Sequence, residues 1–158
     1  HDMSSALKRR FNFETVHPIA DAAFEKQLID KQVTERMAEA PVQIDVKSDV
    51  LDLVVSVFRD LRTGKTADGA TVAVPNSVMS TAEAVNVMHA AALEAVYLGD
   101  GTLAAGQVAY QLGGTVFKDD PEDARKLRAY VDQIANPRGR TSRAWASFHK
   151  AAKESLRD

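Results

Sequence analysis

The sequence predicts a mainly α fold, with one short strand near the N-terminus and a small β-ribbon beside the helices. Three observations lead there. Apolar residues recur at steps of three and four over several stretches of about ten to twenty residues, the period of an amphipathic helix. Those stretches are bracketed by suitable start and stop signals, such as Ser80-Thr81-Ala82-Glu83 and Asp120-Pro121-Glu122-Asp123 at beginnings and Gly99 and Gly101 at an end. Strict alternation of apolar and polar residues, the mark of a half-buried strand, is confined to short runs at 11–16, 42–46 and 71–74.

Taken in order, Phe11, Phe13 and, after a slip of phase, Val16 alternate with polar residues, directly after the basic run Lys8-Arg9-Arg10. His17-Pro18 closes this strand, because proline cannot continue a ladder. From about residue 19 to residue 38 the chain is rich in helix formers, with a predicted apolar stripe through Phe24, Leu28, Val33 and Met37 and a stop at Pro41. Val42, Ile44 and Val46 form a short strand candidate. The next helix runs from Ser48 or Asp49 to Leu61, with Leu51, Val54, Val55, Phe58 and Leu61 on one face. Residues 62–69 are a polar, turn-rich loop. Residues 71–74 are predicted to pair with 42–46 as a ribbon, ending at Pro75.

Ser80 and Glu83 fit a capping box, in which Ser80 Oγ accepts from the Glu83 N–H and the Glu83 carboxylate reaches back to the Ser80 N–H. Val85, Met88, Ala92 and Val96 line the helix that follows. Leu103, Val108, Leu112 and Val116 suggest a helix broken near Gly113-Gly114. Pro121 at a first helical position, with acids in the first turn, starts another helix whose stripe is Ala124, Leu127, Val131 and Ile134. Residues 137–140 read as a loop, and Thr141 is the predicted cap of a last helix carrying Trp145, Phe148 and Ala152 on one face.

Composition excludes several functional classes. With 158 residues, 45% of them hydrophobic and 27% charged, the chain is globular rather than disordered. It is long enough to bury about 70% of its unfolded surface. A formal charge of -2 argues against wholesale nucleic-acid binding. The absence of cysteine removes disulfides, thiolate metal sites and thiolate nucleophiles, and a reducing, cytoplasmic setting fits. No apolar run approaches the ~18 residues of a membrane span, and no secretory signal is visible. The chain begins with His1 rather than Met, so it is expected to be the downstream part of something longer or to carry an added His1-Asp2.

The chemical inventory is short. His17, His89 and His149 are far apart, and none has a carboxylate or second histidine at metal-ligand spacing, so no metal site is expected. Asp119 and Asp120 resemble a catalytic carboxylate pair but are better explained as a helix start. Trp145 and Phe148 are read as core, not as a stacking platform, and the basic residues of the last third are interleaved with acids as on a solvated face. Gly64-Lys65-Thr66 is not a phosphate-binding loop: the motif needs glycine at position 59, which is Arg59, and a strand before it. This leaves Arg9 and Arg10, two guanidinium groups at the mouth of a strand. Such a pair suits a phosphate oxygen, although two solvated arginines before an edge strand is the simpler reading.

The stretch Ala6-Leu7-Lys8-Arg9-Arg10-Phe11-Asn12-Phe13-Glu14-Thr15-Val16-His17-Pro18 resembles the segment that closes the ATPase core in MoxR-like AAA+ ATPases. Residues 57–87, from Val57-Phe58-Arg59-Asp60 to Ala84-Val85-Asn86-Val87, resemble the lid of the same group. The two matches come in the family's order and cover most of residues 5 to 90. The resemblance implies that residues 1–18 are the tail of the ATPase core, with its last strand, and that 19–158 are the helical lid bundle. It implies an arginine finger acting in trans, placed at Arg10 with Arg9 as runner-up. It also implies ATP and Mg²⁺ in the parent chain, neighbouring subunits in a ring (a hexamer) and a von Willebrand factor A-domain protein as partner class. The parent would couple ATP hydrolysis to remodelling or maturation of other proteins. This chain lacks the phosphate-binding loop and Mg²⁺-holding acid, so by itself it is expected neither to bind nor to hydrolyse ATP. If the chain truly starts at His1, the strand at 11–16 has lost its core-sheet neighbours and is expected to be frayed, borrowed by a neighbouring molecule or irregularly paired.

One departure from the family pattern stands out. MoxR-like lids usually carry a sensor-2 arginine near the start of the helix that begins here at Ser80 and Thr81, and this chain has Ala82 and Glu83 instead. Ser80 and Thr81 therefore mark the expected nucleotide-facing region, with Arg62 and Lys65 as candidate substitutes. The competing reading is a non-enzymatic helical domain that binds protein or nucleic acid, with the arginines and the basic C-terminal helices as its contacts.

Overall fold

The structure, a computed structural model, describes residues 19–157. The basic run with Arg9 and Arg10, the predicted strand at 11–16 and the His17-Pro18 stop lie outside these residues. What is described is mainly α, built from six helices: α1 (Ala22–Arg36), α2 (Ser48–Thr63), α3 (Thr81–Leu98), α4 (Ala105–Gln111), α5 (Pro121–Tyr130) and α6 (Arg143–Ser155).

The centre is α2. Nine of its sixteen residues are buried, including Leu53, Val54, Val57, Phe58 and Leu61, so it packs on most sides instead of along one stripe. It touches α1, α3, α4 and α6. The whole predicted stripe of Leu51, Val54, Val55, Phe58 and Leu61 is in the core. Gly64 ends the helix at φ +74°, and its N–H donates to the Asp60 carbonyl at 3.0 Å. Only glycine takes that conformation without a Cβ penalty.

The first helix differs from its predicted phase. Its buried positions are Glu25, Ile29 and Val33, followed by Met37 at the cap. Phe24 is 56% exposed and Leu28 only half-buried. The face that turns inward is thus one residue later at its N-terminal end, and it includes a carboxylate. Glu25 occupies a core position because arginines from α2 meet it there.

The ribbon does not form among the described residues. Asp45 makes one parallel bridge to Thr102, and Thr71 one antiparallel bridge to Lys65. The reason is local competition. Thr66 N–H donates to the Ala70 carbonyl at 2.9 Å and Val72 N–H to the Gly64 carbonyl at 2.9 Å, which folds 71–72 back on 64–65. Residues 42–46 are left with a neighbour just beyond α3.

Two predicted breaks are wider turns instead. After α4 the chain continues as a π turn over Leu112–Val116, with Phe117 N–H donating to the Leu112 carbonyl, so Gly113-Gly114 widens the helix without ending it. After α5 a π turn over Val131–Ala135 leads into a helical turn at Asn136–Arg138, which includes half of the predicted 137–140 loop. Pro137 has no N–H to give the preceding turn, and the wider π turn accommodates that gap. Asp120 caps α5 as expected, accepting from the Glu122 and Asp123 N–H groups. The cap of α6 is Ser142, whose Oγ accepts from the Trp145 N–H at 3.4 Å, and not Thr141.

The most extensive helix pairing is α4 against α6. It depends on Gly106, where an added Cβ would lie 3.1 Å from Ser147 Oγ and 3.3 Å from Ala151 Cβ. Phe148 and Ala152 are buried at this side, whereas Trp145 is half-buried, with Arg138 stacked 4.7 Å from its ring centre.

Candidate functional site

Three chain segments meet where α1 begins, α2 ends and α3 begins. Glu25, in the first turn of α1, has no exposed surface. Arg59 and Arg62 are three residues apart on α2 and so project from one side of it. Arg62 donates to Glu25 Oε1 at 3.2 Å through each of Nη1 and Nη2 and to Oε2 at 3.1 Å. Arg59 Nη1 reaches Oε2 at 3.4 Å. Thr81 Oγ1, at the first position of α3, donates to Oε1 at 2.9 Å. The carboxylate is therefore tied to both other helices at once.

The same arginines hold backbone. Arg62 Nη1 donates to the Met79 carbonyl at 2.9 Å, fixing the approach to α3. Arg59 Nη1 and Nη2 donate to the Ile19 and Ala20 carbonyls at 3.1 and 2.8 Å, where the chain enters α1. Two guanidinium groups face one carboxylate, so the cluster carries one positive charge in excess. Arg62 is 14% exposed and Arg59 29%.

Two further buried networks brace the bundle. Asp60 accepts from Tyr130 Oη at 2.8 Å and from Arg138 Nη1 at 2.9 Å. Burial first, then the Asp60 charge, pushes the Tyr130 phenol well above its ordinary range. Asp123 accepts from the Asn76 and Ser77 N–H groups and the Ser77 hydroxyl, at 2.6 to 2.8 Å. Burial pushes its carboxyl up, but the Ser77 hydroxyl and the two N–H donors outweigh that, and the net shift is down. No buried side-chain nitrogen or oxygen among the described residues is without a partner.

The residues singled out from the sequence are distributed unevenly. Arg9 and Arg10 are outside the described residues. Ser80 is the N-cap of α3, its Oγ accepting from the Glu83 N–H at 3.2 Å, but no described bond returns from the Glu83 carboxylate to complete the box. Thr81 belongs to the Glu25 cluster. Of the two candidate sensor-2 substitutes, Arg62 is committed to Glu25 and Met79, and Lys65 is exposed on the following turn. The Ser80, Thr81 and Arg62 groups are thus all bonded within the protein. Among the described residues no group of three or more acids and histidines is placed to hold a metal ion, and no helix is long and apolar enough to cross a membrane.

Glu25 and Arg59 were not legible as site residues. The one available signal was a glutamate at the 25-29-33 spacing of apolar positions, with arginines at i and i+3 of a neighbouring helix.

Residues 23–155 match the family described as YehL-like AAA+ ATPase C-terminal domain. The chain belongs to this family. It is 40% identical over 136 residues to an Escherichia coli (strain K12) protein described as uncharacterized protein YehL, a match covering 84% of this chain and 36% of that protein. The chain thus spans about a third of the relative's length. No solved structure matches it. The resemblance to the C-terminal part of an AAA+ ATPase holds, and the family that carries it is the YehL-like one. The Glu25 cluster falls inside the matched residues except for Ile19 and Ala20, which lie just before them.

Proposed function

We propose that this YehL-like C-terminal domain is the lid of a MoxR-like AAA+ ATPase whose parent chain couples ATP hydrolysis to remodelling or maturation of partner proteins. The observation that carries the reading is the family match over 23–155, directly downstream of a basic segment resembling an arginine-finger strand. On this reading residues 1–18 are the end of the ATPase core and 19–158 the lid. Subunits assemble as a ring, a hexamer, and Arg10 of one subunit meets the γ-phosphate held by its neighbour, with Arg9 as the second choice. A planar, permanently charged fork there offsets charge developing on the transferred phosphoryl group, an effect of about 10³ to 10⁵ in rate for such fingers.

The start of α3 at Ser80 and Thr81 is the lid edge turned toward the nucleotide. Its hydroxyls act indirectly, through the α3 cap and Glu25, since both are bonded within the domain. ATP and Mg²⁺ belong to the parent, bound by residues upstream of this chain, and a von Willebrand factor A-domain protein is the partner class.

The test is ATP turnover by the complete chain that includes the upstream residues, wild type against Arg10→Ala, with nucleotide binding measured in parallel. The reading expects turnover to be lost and binding kept. Unchanged turnover would return the arginine pair to a solvated role and favour a helical interaction domain. Steep salt dependence of nucleic-acid binding would then identify one class of partner.

A further inference from the structure

We propose that Arg59 is a positioning residue that fixes the direction in which the chain enters the helical domain. Ile19 and Ala20 precede the Asp21 cap, and the α1 ladder begins only with the Asp21 carbonyl, which accepts from the Glu25 N–H at 3.0 Å. The two carbonyls before it are therefore outside the helix, with no donor from its ladder. Arg59 supplies both, one from each arm of its fork, at 3.1 and 2.8 Å. A single donor would let the peptide between them turn, whereas a planar fork on two consecutive carbonyls resists that rotation.

The contact is not needed to neutralise Glu25. Arg62 alone gives that carboxylate three bonds at 3.1 to 3.2 Å, while the Arg59 contact is longer, at 3.4 Å. What Glu25 provides for Arg59 is an anchor. It is fully buried and fastened to α2 by Arg62 and to α3 by Thr81, so the entry segment is referenced to two helices through one guanidinium. Arg59 is 29% exposed and borders a cleft of about 320 Å³ that Ser56 and Thr63 also line.

Arg9 and Arg10 lie nine to ten residues upstream of Ile19. The kinetic consequence of the latch rests on the finger reading above, but the latch does not. In the parent chain, Arg59→Ala is expected to speed amide exchange at Ala23, Phe24 and Glu25, whose N–H groups are held by Asp21, by about tenfold, leaving α4, α5 and α6 protected as in wild type. Arg59→Lys, with one donor head in place of a fork, is expected to fall between them. ATP turnover should lose on the order of 10- to 100-fold in kcat at unchanged nucleotide affinity, because the loss is one of placement. Combining Arg59→Ala with Arg10→Ala should cost nothing beyond Arg10→Ala alone.

Unchanged exchange at 23–25 overturns the proposal. So does faster exchange spread evenly over α1, α2 and α3, which would mark a merely structural residue, and so does unchanged kcat with local exchange raised in a parent whose turnover Arg10→Ala abolishes. Should the wild-type parent hydrolyse no ATP, the function proposed above fails, and the local exchange pattern alone decides for or against the latch.

Discussion

Replacing Glu25 by glutamine isolates the charge at the centre of the cluster with little change of shape. Glutamine can still accept from Thr81, but it removes the countercharge for two guanidinium groups and puts an N–H₂ where one carboxylate oxygen accepted from arginine. Breaking a buried ion pair from one side costs about 3–5 kcal/mol. Here the arginines are 14% and 29% exposed and recover part of their hydration. Both also keep their carbonyl bonds to Met79, Ile19 and Ala20. The expected loss is therefore nearer the bottom of that range, about 3 kcal/mol. At about 2–4 °C per kcal/mol for a domain of this size, Tm falls by roughly 6–12 °C. Urea titration followed by circular dichroism gives the free energy, and an unchanged slope shows that the comparison is like for like. The control is Glu35→Gln. That carboxylate is 64% exposed and 3.9 Å from Lys31, and its loss should change stability by less than about 0.5 kcal/mol. A Glu25→Gln loss below about 1 kcal/mol would refute the claim that a buried carboxylate clamps three helices.

Other expectations concern the caps and the two bracing networks. Ser142→Ala should cost about 1 kcal/mol by removing the α6 cap, and Thr141→Ala clearly less, as read by chemical denaturation. The Asp123 carboxyl is lowered in the folded protein, so its contribution is complete above the unfolded value of 3.8 and is lost as pH falls below it. Asp123→Asn should accordingly flatten the acid limb of stability against pH. The Tyr130 phenol is raised, so its contribution is complete below the unfolded value of 10.0 and is lost as pH rises above it. Tyr130→Phe should remove that alkaline loss while costing about 1 kcal/mol at neutral pH, since Asp60 keeps Arg138.

The parts of the fold that were readable are those set by local pattern. The α2 stripe reads correctly because five apolar residues at helical spacing have no competing arrangement. The Asp120-Pro121 start is likewise a property of four adjacent residues. Elements that depend on distant partners were not readable. Placing Glu25 in a core stripe requires knowing that Arg59 and Arg62, 34 and 37 residues on, lie against it. Without them a glutamate reads as solvent-facing, and the inward face of α1 shifts to Phe24 and Leu28. The ribbon failed for the opposite reason. Alternation at 71–74 is real, but the turn at Thr66 offers a nearer partner in Gly64-Lys65. Glycine pairs and proline read as breaks, so the π turns after α4 and α5 were invisible. Of the candidate site, the position of Ser80 and Thr81 at a helix start was legible, while the attachment of Thr81 to a buried acid was not.

In the function proposed above, an arginine of one subunit serves the nucleotide of the next. Mixing two inactive forms of the parent chain tests it most directly: Arg10→Ala subunits, and subunits disabled in the upstream phosphate-binding loop. If Arg10 acts in trans, the mixture regains ATP turnover at interfaces where an intact Arg10 faces an intact nucleotide site. If each subunit completes its own site, the mixture stays inactive at every ratio, and the claim is contradicted.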